Sequence, residues 1–181
     1  MKPTLEAALI DLAQLYERQK KTEQALNLYQ DYIQRYPTRI GIRHRLGEFY
    51  LRQGNYPAAE KTFRESLAID DSNKDVHFTL GLLYYEQHSY ERAITEFQKA
   101  LELAPSDSRI LYFLASVLEE KQEKKKALEL YERIPPESEW YGNARIRMGM
   151  LLREEGKIDQ AIDLIREALA KGKKVPNLYA Y

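Results

Sequence analysis

The chain has 181 residues, with 28 Lys plus Arg balanced by 28 Asp plus Glu, so its formal net charge is zero. Without a basic excess to neutralise phosphates, this composition argues against a nucleic-acid-binding protein. Cysteine is absent, which excludes disulfides, thiolate metal sites and cysteine nucleophiles, and no apolar run reaches the roughly 18 residues that a membrane-spanning helix needs. With only 8 Gly and 7 Pro, the chain is poor in turn-forming residues, and this favours long helices.

A period of 34 residues runs through the chain from its first predicted helix. A small residue recurs at this period, an alanine follows each small residue after twelve positions, and a larger apolar residue follows each alanine after four. The small residues are Ala13, Gly47, Gly81, Ala115 and Gly149, the alanines are Ala25, Ala59, Ala93, Ala127 and Ala161, and the larger residues are Tyr29, Phe63, Phe97, Tyr131 and Ile165. A fixed period with so many matched columns predicts a solenoid of helix pairs.

Each repeat is predicted to form two antiparallel helices. In the third repeat, Gly81 and Tyr84 share one stripe of a first helix, and Ala93 and Phe97 share one stripe of a second. The small residues allow the two backbones to approach closely, and the aromatic ring fills the remaining space. We therefore expect Phe97 to be buried.

Proline, glycine and capping residues mark the predicted helix ends. Pro105 is expected to end a second helix, because proline lacks an N–H and its ring clashes with the preceding turn. Gly54 and Gly156 are expected to close first helices. Ser72 followed by Asp75 predicts a capping box at the start of the third repeat.

The third repeat contains the sequence HFTLGLLYYEQHSYERAITEFQKALELAP, which resembles the tetratricopeptide repeat. The consensus of that family runs W-x-x-L-G-x-x-Y, followed by Ala, Phe, Ala and Pro at fixed offsets, and His77 stands here in place of the Trp. The resemblance implies an all-α, right-handed superhelical solenoid of antiparallel helix pairs. We expect a single array over residues 1–181, with repeats at about residues 6–39, 40–73, 74–107, 108–141 and 142–175.

The fourth repeat departs from this pattern. Its second helix is expected at about Lys125 to Arg133, where residues 134–136, Ile-Pro-Pro, cut it short. One interpretation is a tolerated loop variation. The other is a local change of curvature that displays Trp140 and Tyr141 for contact with a partner.

The last residues, 176–181, align with the beginning of a sixth repeat and are interpreted as a truncated repeat or a C-terminal stub. The second helix of the fifth repeat carries an apolar face that no polar cap follows in the sequence, although repeat arrays need such a cap. This face consists of Ile162, Leu164, Ile165 and Leu169. We therefore expect the chain to be a fragment of a longer bacterial scaffold protein, or to bury this face against another chain. The second case includes a homo-oligomer.

The sequence gives no sign of catalysis. The three histidines, His44, His77 and His88, lack the spacing of metal ligands, and no nucleophile elbow, zinc-protease motif, phosphate loop or calcium loop occurs. We accordingly predict a protein that is not an enzyme and that uses no cofactor and no metal.

The resemblance implies that a second stripe of the first helices, in the columns of Phe78, Leu82 and Tyr85, lines a concave groove. The predicted groove residues, five from the third and fourth repeats and five from the second and fifth, are His44, Arg45, Arg52, Phe78, Leu82, Tyr85, Arg109, Tyr112, Ile146 and Met150. The alternative is that some of them pack against neighbouring first helices. Relatives that clamp chaperone tails carry Lys in the Phe78 column and Asn in the Leu82 column; neither occurs here, so that clamp is absent.

These features predict a protein–protein interaction scaffold that binds a peptide or protein in the groove, with no nucleic-acid partner and no direct insertion into membranes. Two alternatives remain open. One is a self-assembling structural protein that docks through its uncapped C-terminal repeat, and the other is a substrate-docking segment of a larger multidomain protein. The lack of cysteine and of a signal sequence favours the cytoplasm, and a longer parent chain would leave the periplasm open.

Overall fold

The computed structural model describes residues 5–170, and within that range every regular element is an α-helix. The ten helices are α1 (Leu5–Arg18), α2 (Thr22–Arg35), α3 (Ile40–Arg52), α4 (Tyr56–Leu67), α5 (Lys74–Glu86), α6 (Tyr90–Leu103), α7 (Ser108–Glu120), α8 (Lys124–Glu132), α9 (Tyr141–Glu154) and α10 (Ile158–Ala170). The prediction of an all-α fold of antiparallel helix pairs is confirmed. The chain divides into two compact units, Met1–Val76 (unit 1) and His77–Tyr181 (unit 2). The five repeat boundaries stay a prediction, and residues 176–181 lie outside the described residues.

Small residues bring the two helices of a pair into direct contact. In unit 1, a Cβ atom added to Gly47 would lie 2.3 Å from a ring carbon of Phe63. In unit 2, a Cβ on Gly81 would lie 2.6 Å from ring carbons of Phe97, whose side chain is completely buried. No real side chain tolerates such distances, so the close approach inferred from the 34-residue period is confirmed, as is the burial of Phe97.

The turn between the two helices of each pair contains one residue with a positive φ, and these residues recur every 34 positions. They are Lys20, Gly54, His88, Gln122 and Gly156, with φ between 56° and 78°. The predicted role of the two glycines is confirmed. At the other three turns a residue with a Cβ adopts the same left-handed conformation, which costs on the order of 1 kcal/mol relative to glycine.

Helix ends follow the predicted proline signal but not the predicted capping box. The helix before Pro105 ends at Leu103, and Ala104, with φ −143° and ψ 75°, lies outside the α region that a following proline disfavours. At the start of α5, however, the side-chain oxygen of Asn73 accepts hydrogen bonds from the amides of Asp75 (3.1 Å) and Val76 (3.2 Å). Ser72 instead donates its amide to Asp70 at 2.9 Å, so the predicted capping box is wrong. Asn73 lies one residue closer to the helix and reaches its first free amides.

The shortened helix of the fourth repeat is confirmed, since α8 has only 9 residues and ends at Glu132. The chain re-enters helix at Tyr141, which is buried. The half-buried Trp140 packs its ring on Tyr112 (4.9 Å between centroids) and on Phe113 (5.4 Å). The interpretation that this segment displays Tyr141 for contact is therefore wrong, because the re-entry turns that ring into the core of unit 2.

Candidate partner-binding surfaces

In unit 1, the predicted groove residues of α3 lie beside carboxylates. The guanidinium of Arg52 donates two hydrogen bonds to Glu17 of α1, each of 3.0 Å, and Arg45 donates to Glu48 at 2.9 Å. The Nε2 atom of His44 lies 3.7 Å from Glu48. The structure thus brings His44, Arg45 and Arg52 onto one helix, where their charges are balanced by Glu17 and Glu48.

Burial sets the protonation of two side chains on this part of unit 1. Burial lowers the pKa of His44 below its usual value, although the neighbouring Glu48 opposes this effect. The imidazole is therefore neutral at physiological pH. Burial, followed by the charge of Glu17, raises the pKa of Tyr29 to about 12, so its hydroxyl keeps the proton that it donates to Glu17. In these columns of unit 1, the charges of Arg45 and Arg52 are therefore balanced by Glu48 and Glu17.

In unit 2, two predicted groove residues belong to the core. Phe78 and Tyr112 are 4% and 2% exposed, so the expectation that they present accessible surface is wrong. Phe78 packs within 5.6 Å of Phe97 and 5.5 Å of Phe113, between ring centroids. Tyr112 lies 5.6 Å from Tyr131 and is also covered by Trp140. These six rings form one aromatic cluster, which consists of Phe78, Phe97, Tyr112, Phe113, Tyr131 and Trp140.

Other predicted groove residues of unit 2 remain accessible. Met150 on α9 is 40% exposed, and Leu82, Tyr85 and Ile146 are half-buried. The guanidinium carbon of Arg109 stands 4.2 Å above the ring of Phe78, and the side chain is still 38% exposed. We call these five predicted groove residues of α5, α7 and α9 the inner-face set of unit 2: Leu82, Tyr85, Arg109, Ile146 and Met150.

The polar residues of α7 in the same columns are held by internal hydrogen bonds. Ser116 is buried at 3.0 Å from the hydroxyl of Tyr131, which donates to Glu119 at 3.1 Å. Arg147 of α9 also donates to Glu119, at 3.0 Å. Burial raises the pKa of Tyr131 well above its usual range, so the hydroxyl remains a donor. This network fixes α7 against α8 and α9 beneath the inner-face set.

One concave feature of unit 2 was not predicted. A cleft of about 490 Å³ opens between α6, α7 and α8, and its apolar lining includes Ile94, Leu101, Leu114, Leu118 and Leu130. On its rim, Lys121 lies 3.1 Å from Glu91 and 3.6 Å from Glu123. The early end of α8 was the available signal, because Pro135 occupies the column that Leu101 fills in α6.

Two further observations concern residues 5–170. No group of three or more His, Cys, Asp or Glu in that range could hold a metal ion. No described helix combines the length and the apolar character needed to cross a bilayer.

Comparison with solved structures finds many proteins with a similar fold. A crystal structure of MamA superposes with a TM-score of 0.78 at 21% identity, covering 88% of this chain and 93% of that chain. PilF of Pseudomonas aeruginosa gives 0.75 at 24% identity, covering 92% and 76%. YrrB, described as a TPR protein with an unusual peptide-binding site, gives 0.73 at 18% identity, covering 91% and 84%. At these identities the likeness shows the fold alone.

The family assignment comes from sequence comparison with family models. No curated protein matches the chain. The model of the middle TPR-like domain of cilia and flagella-associated protein 70 matches residues 9–133, more than half of the chain. Together with the 34-residue period and the glycine–aromatic contacts, this match confirms the resemblance seen in the sequence: the chain belongs to the tetratricopeptide-repeat-like family that this model describes.

Proposed function

We propose that this protein is an interaction scaffold that binds a peptide or protein segment through the inner-face set of unit 2. The observation that carries the proposal is the 40% exposure of Met150, on a helix whose other large apolar residues are buried or half-buried. Family membership supports an interaction role in general. The peptide-binding site named for YrrB belongs to that protein and supports only the class of partner.

The chemistry of the set suggests what it binds. Met150 has a flexible, polarisable side chain that adapts to an apolar partner residue, and Leu82 and Ile146 still have apolar surface to bury. Arg109 is held over Phe78 and lies 3.6 Å from Asp107, so its guanidinium is oriented before a partner arrives. We therefore expect a segment with one or two large apolar side chains next to a carboxylate.

Five of the predicted groove residues do not contact the partner in this proposal. Phe78 and Tyr112 support the surface from below and do not contact the partner. His44, Arg45 and Arg52 are not part of the proposed contact, since each lies close to a carboxylate within unit 1. The proposal includes no catalytic step.

Peptide selection followed by affinity measurement tests this proposal. Peptides are selected from a displayed library on the immobilised chain, and their dissociation constants are measured for the wild type and for Met150→Glu. We expect Met150→Glu to weaken binding at least about tenfold, because a charge replaces an apolar contact (about 1.4 kcal/mol per factor of ten). Arg109→Glu should weaken only the peptides that carry a carboxylate.

The matched control is Leu103→Glu on α6, which alters a side chain that is also exposed but lies outside the inner-face set. This variant should bind as the wild type does. Circular dichroism should be the same for the wild type and all three variants. If Leu103→Glu loses as much affinity as Met150→Glu, or if Met150→Glu loses none, the inner-face set is not the binding surface.

A further inference from the structure

Helix α10 carries an apolar stripe on its outer side. Ile158, Ile162 and Leu169 are 50%, 41% and 72% exposed, although all three are large aliphatic residues. Ile165 lies at the edge of the stripe, where its Cγ1 atom is 2.8 Å from the position of a Cβ built on Gly149 of α9. Ala161, one turn before Ile165 on the same side of the helix, is buried and also lies against Gly149 of α9. One side of α10 thus packs within its own repeat while a second apolar side remains uncovered by described residues.

The spacing within this stripe is that of a coiled-coil seam. Ile158, Ile162, Ile165 and Leu169 are separated by four, three and four positions, as the d, a, d and a positions of two heptads would be. This series reads the same in both directions. Two copies of the helix can therefore meet antiparallel about a two-fold axis between Ile162 and Ile165, with Ile158 of each copy opposite Leu169 of the other.

The charges beside the stripe favour the antiparallel arrangement. Asp159 and Asp163 lie towards the N-terminus of α10, and Arg166 lies towards its C-terminus; all three are exposed. In an antiparallel pair, Asp159 would approach the partner's Arg166, and symmetry would repeat this contact. In a parallel pair, Asp159 and the partner's Arg166, which both occupy the e position of the heptad, would lie on opposite flanks of the seam and would not meet. Arg166 is only 4.0 Å from Asp163 on the surface of its own helix, a weak contact that is easily exchanged.

We propose that α10 is a homodimer interface, in which two chains pair their α10 helices antiparallel through Ile158, Ile162, Ile165 and Leu169. The occupant of the apolar stripe is thus a second copy of this chain. The proposal goes beyond the proposed function, because the inner-face set takes no part in it. A dimer of this kind would present two inner-face sets to a multivalent partner.

Sedimentation velocity over a hundredfold range of concentration gives the first test. The wild type should show a monomer–dimer equilibrium, and Ile162→Asp should remain monomeric over the whole range because a carboxylate enters the seam. Leu103→Asp on α6, which changes another exposed leucine, should dimerise as the wild type does. A dimer that persists in Ile162→Asp would overturn the proposal.

A charge exchange tests the direction of pairing without altering the seam. Asp159→Arg and Arg166→Asp should each raise the dimer dissociation constant at least threefold, and the double variant should restore the wild-type value. Asp159 and Arg166 are seven positions apart on one helix and so do not contact each other within a chain. Restoration therefore reports contact between two chains. If the double variant is weaker than either single variant, the antiparallel arrangement is wrong.

Cysteine cross-linking gives an independent readout, since the chain contains no cysteine of its own. A short bis-maleimide should link a chain carrying Asp159→Cys to one carrying Arg166→Cys when the two are mixed. If the mixture gives no product that joins an Asp159→Cys chain to an Arg166→Cys chain, the antiparallel pairing is contradicted.

The other occupant to be distinguished is the segment 171–181, which contains Leu178 and Tyr181. If this segment covers the stripe, the wild type is monomeric, and Leu178→Asp with Tyr181→Asp releases the stripe and induces self-association. That outcome would overturn the proposal. Under the dimer proposal, the same double substitution leaves the dissociation constant within about twofold of the wild-type value.

Discussion

Helices α6 and α10 occupy the same place in the third and fifth repeats, yet their equivalent faces differ in burial. Each packs on a glycine of its own first helix, Gly81 for α6 and Gly149 for α10. Phe97 of α6 is completely buried, whereas Ile165 in the same column of α10 is half-buried. Leu101 of α6 is half-buried, whereas its counterpart Leu169 is 72% exposed.

The difference follows from what comes next along the chain. Helix α7 follows α6 and contributes Phe113, whose ring stacks on Phe97 at 6.2 Å, together with Leu114 and Leu118. On α10 the corresponding side is not covered by any residue among 5–170, and Ile162 and Leu169 are exposed there. Two second helices with the same sequence pattern can therefore be buried on one side or on two sides, depending on whether a further first helix packs against them. In an array of repeats, such neighbour contacts contribute a separate part of the stability.

Replacing the equivalent residues Phe97 and Ile165 by alanine should give the largest contrast in stability. Phe97→Ala removes a fully buried ring and should lower the free energy of unfolding by about 3–5 kcal/mol. Ile165→Ala removes a half-buried side chain and should cost only about 1–2 kcal/mol. Denaturant unfolding followed by circular dichroism measures both values. Equal losses would mean that α7 adds little to the burial of α6.

A second contrast concerns a polar pair that α6 has and α10 lacks. Glu96 of α6 lies 2.7 Å from Nδ1 of His77, and both side chains are buried; the column of Glu96 holds Leu164 in α10. His77→Leu would leave the buried carboxylate without its imidazole and should cost about 3 kcal/mol.

The control for this substitution is already present in the fourth repeat, where Leu111 and Leu130 occupy the columns of His77 and Glu96. The double variant His77→Leu with Glu96→Leu should unfold within about 1 kcal/mol of the wild type, since well-packed apolar residues can replace a buried polar pair. If the double variant is as unstable as the single one, the loss comes from packing and not from the unpartnered polar group.

Replacing Gly81 and Gly149 by alanine tests whether α10, with one side uncovered, can shift to accommodate an added methyl group. Gly81→Ala places a Cβ 2.6 Å from a ring that Phe78 and Phe113 also contact, so we expect a cost of about 2 kcal/mol. In Gly149→Ala, the added Cβ lies 2.8 Å from Cγ1 of Ile165 and 3.2 Å from the backbone oxygen of Ala161. A small shift of α10 towards its uncovered side relieves both contacts, and the higher helix propensity of alanine offsets about 1 kcal/mol. The net cost at Gly149 should be below about 1 kcal/mol in thermal or chemical unfolding. A larger loss at position 149 than at position 81 would show that α10 is held as firmly as α6.

The smallest effects are expected at the turns that precede the two helices. His88 before α6 and Gly156 before α10 both have a positive φ, of 56° and 78°. His88→Gly should stabilise the protein by about 0.5 kcal/mol, because relief of left-handed strain exceeds the added entropy of the unfolded chain. Gly156→Ala should destabilise it by about 1 kcal/mol. The midpoints of thermal unfolding should move in opposite directions, and a shift in the same direction would contradict this account.

The helix pairs could be predicted because their contacts lie within one repeat. Gly81 and Phe97 are separated by a constant number of residues, so the 34-residue period reports their contact directly. The left-handed turns were predicted only where glycine occurs. Lys20, His88 and Gln122 adopt the same conformation but carry no residue-type signal for it.

The candidate site was predicted less well because it depends on contacts between repeats. Phe78 and Tyr112 occupy columns that a single repeat leaves uncovered, and they are buried by Phe113 and Trp140 from other elements. The position of Trp140 follows from the early end of α8. The sequence indicated this early end, but it did not determine the path of the chain after it. Met150 on α9 is exposed, as predicted, whereas Phe78 and Tyr112 are buried.

Hydrogen exchange of α6 and α10 tests the central claim most directly, namely that the following first helix stabilises each second helix. The measurement is made at a concentration where light scattering shows only monomer, so that no second chain covers α10. Amides in the central turns of α10 should then exchange at least about a hundredfold faster than the equivalent amides of α6, corresponding to about 2.7 kcal/mol of missing neighbour contacts. Equal protection of the two helices in the monomer would contradict the account.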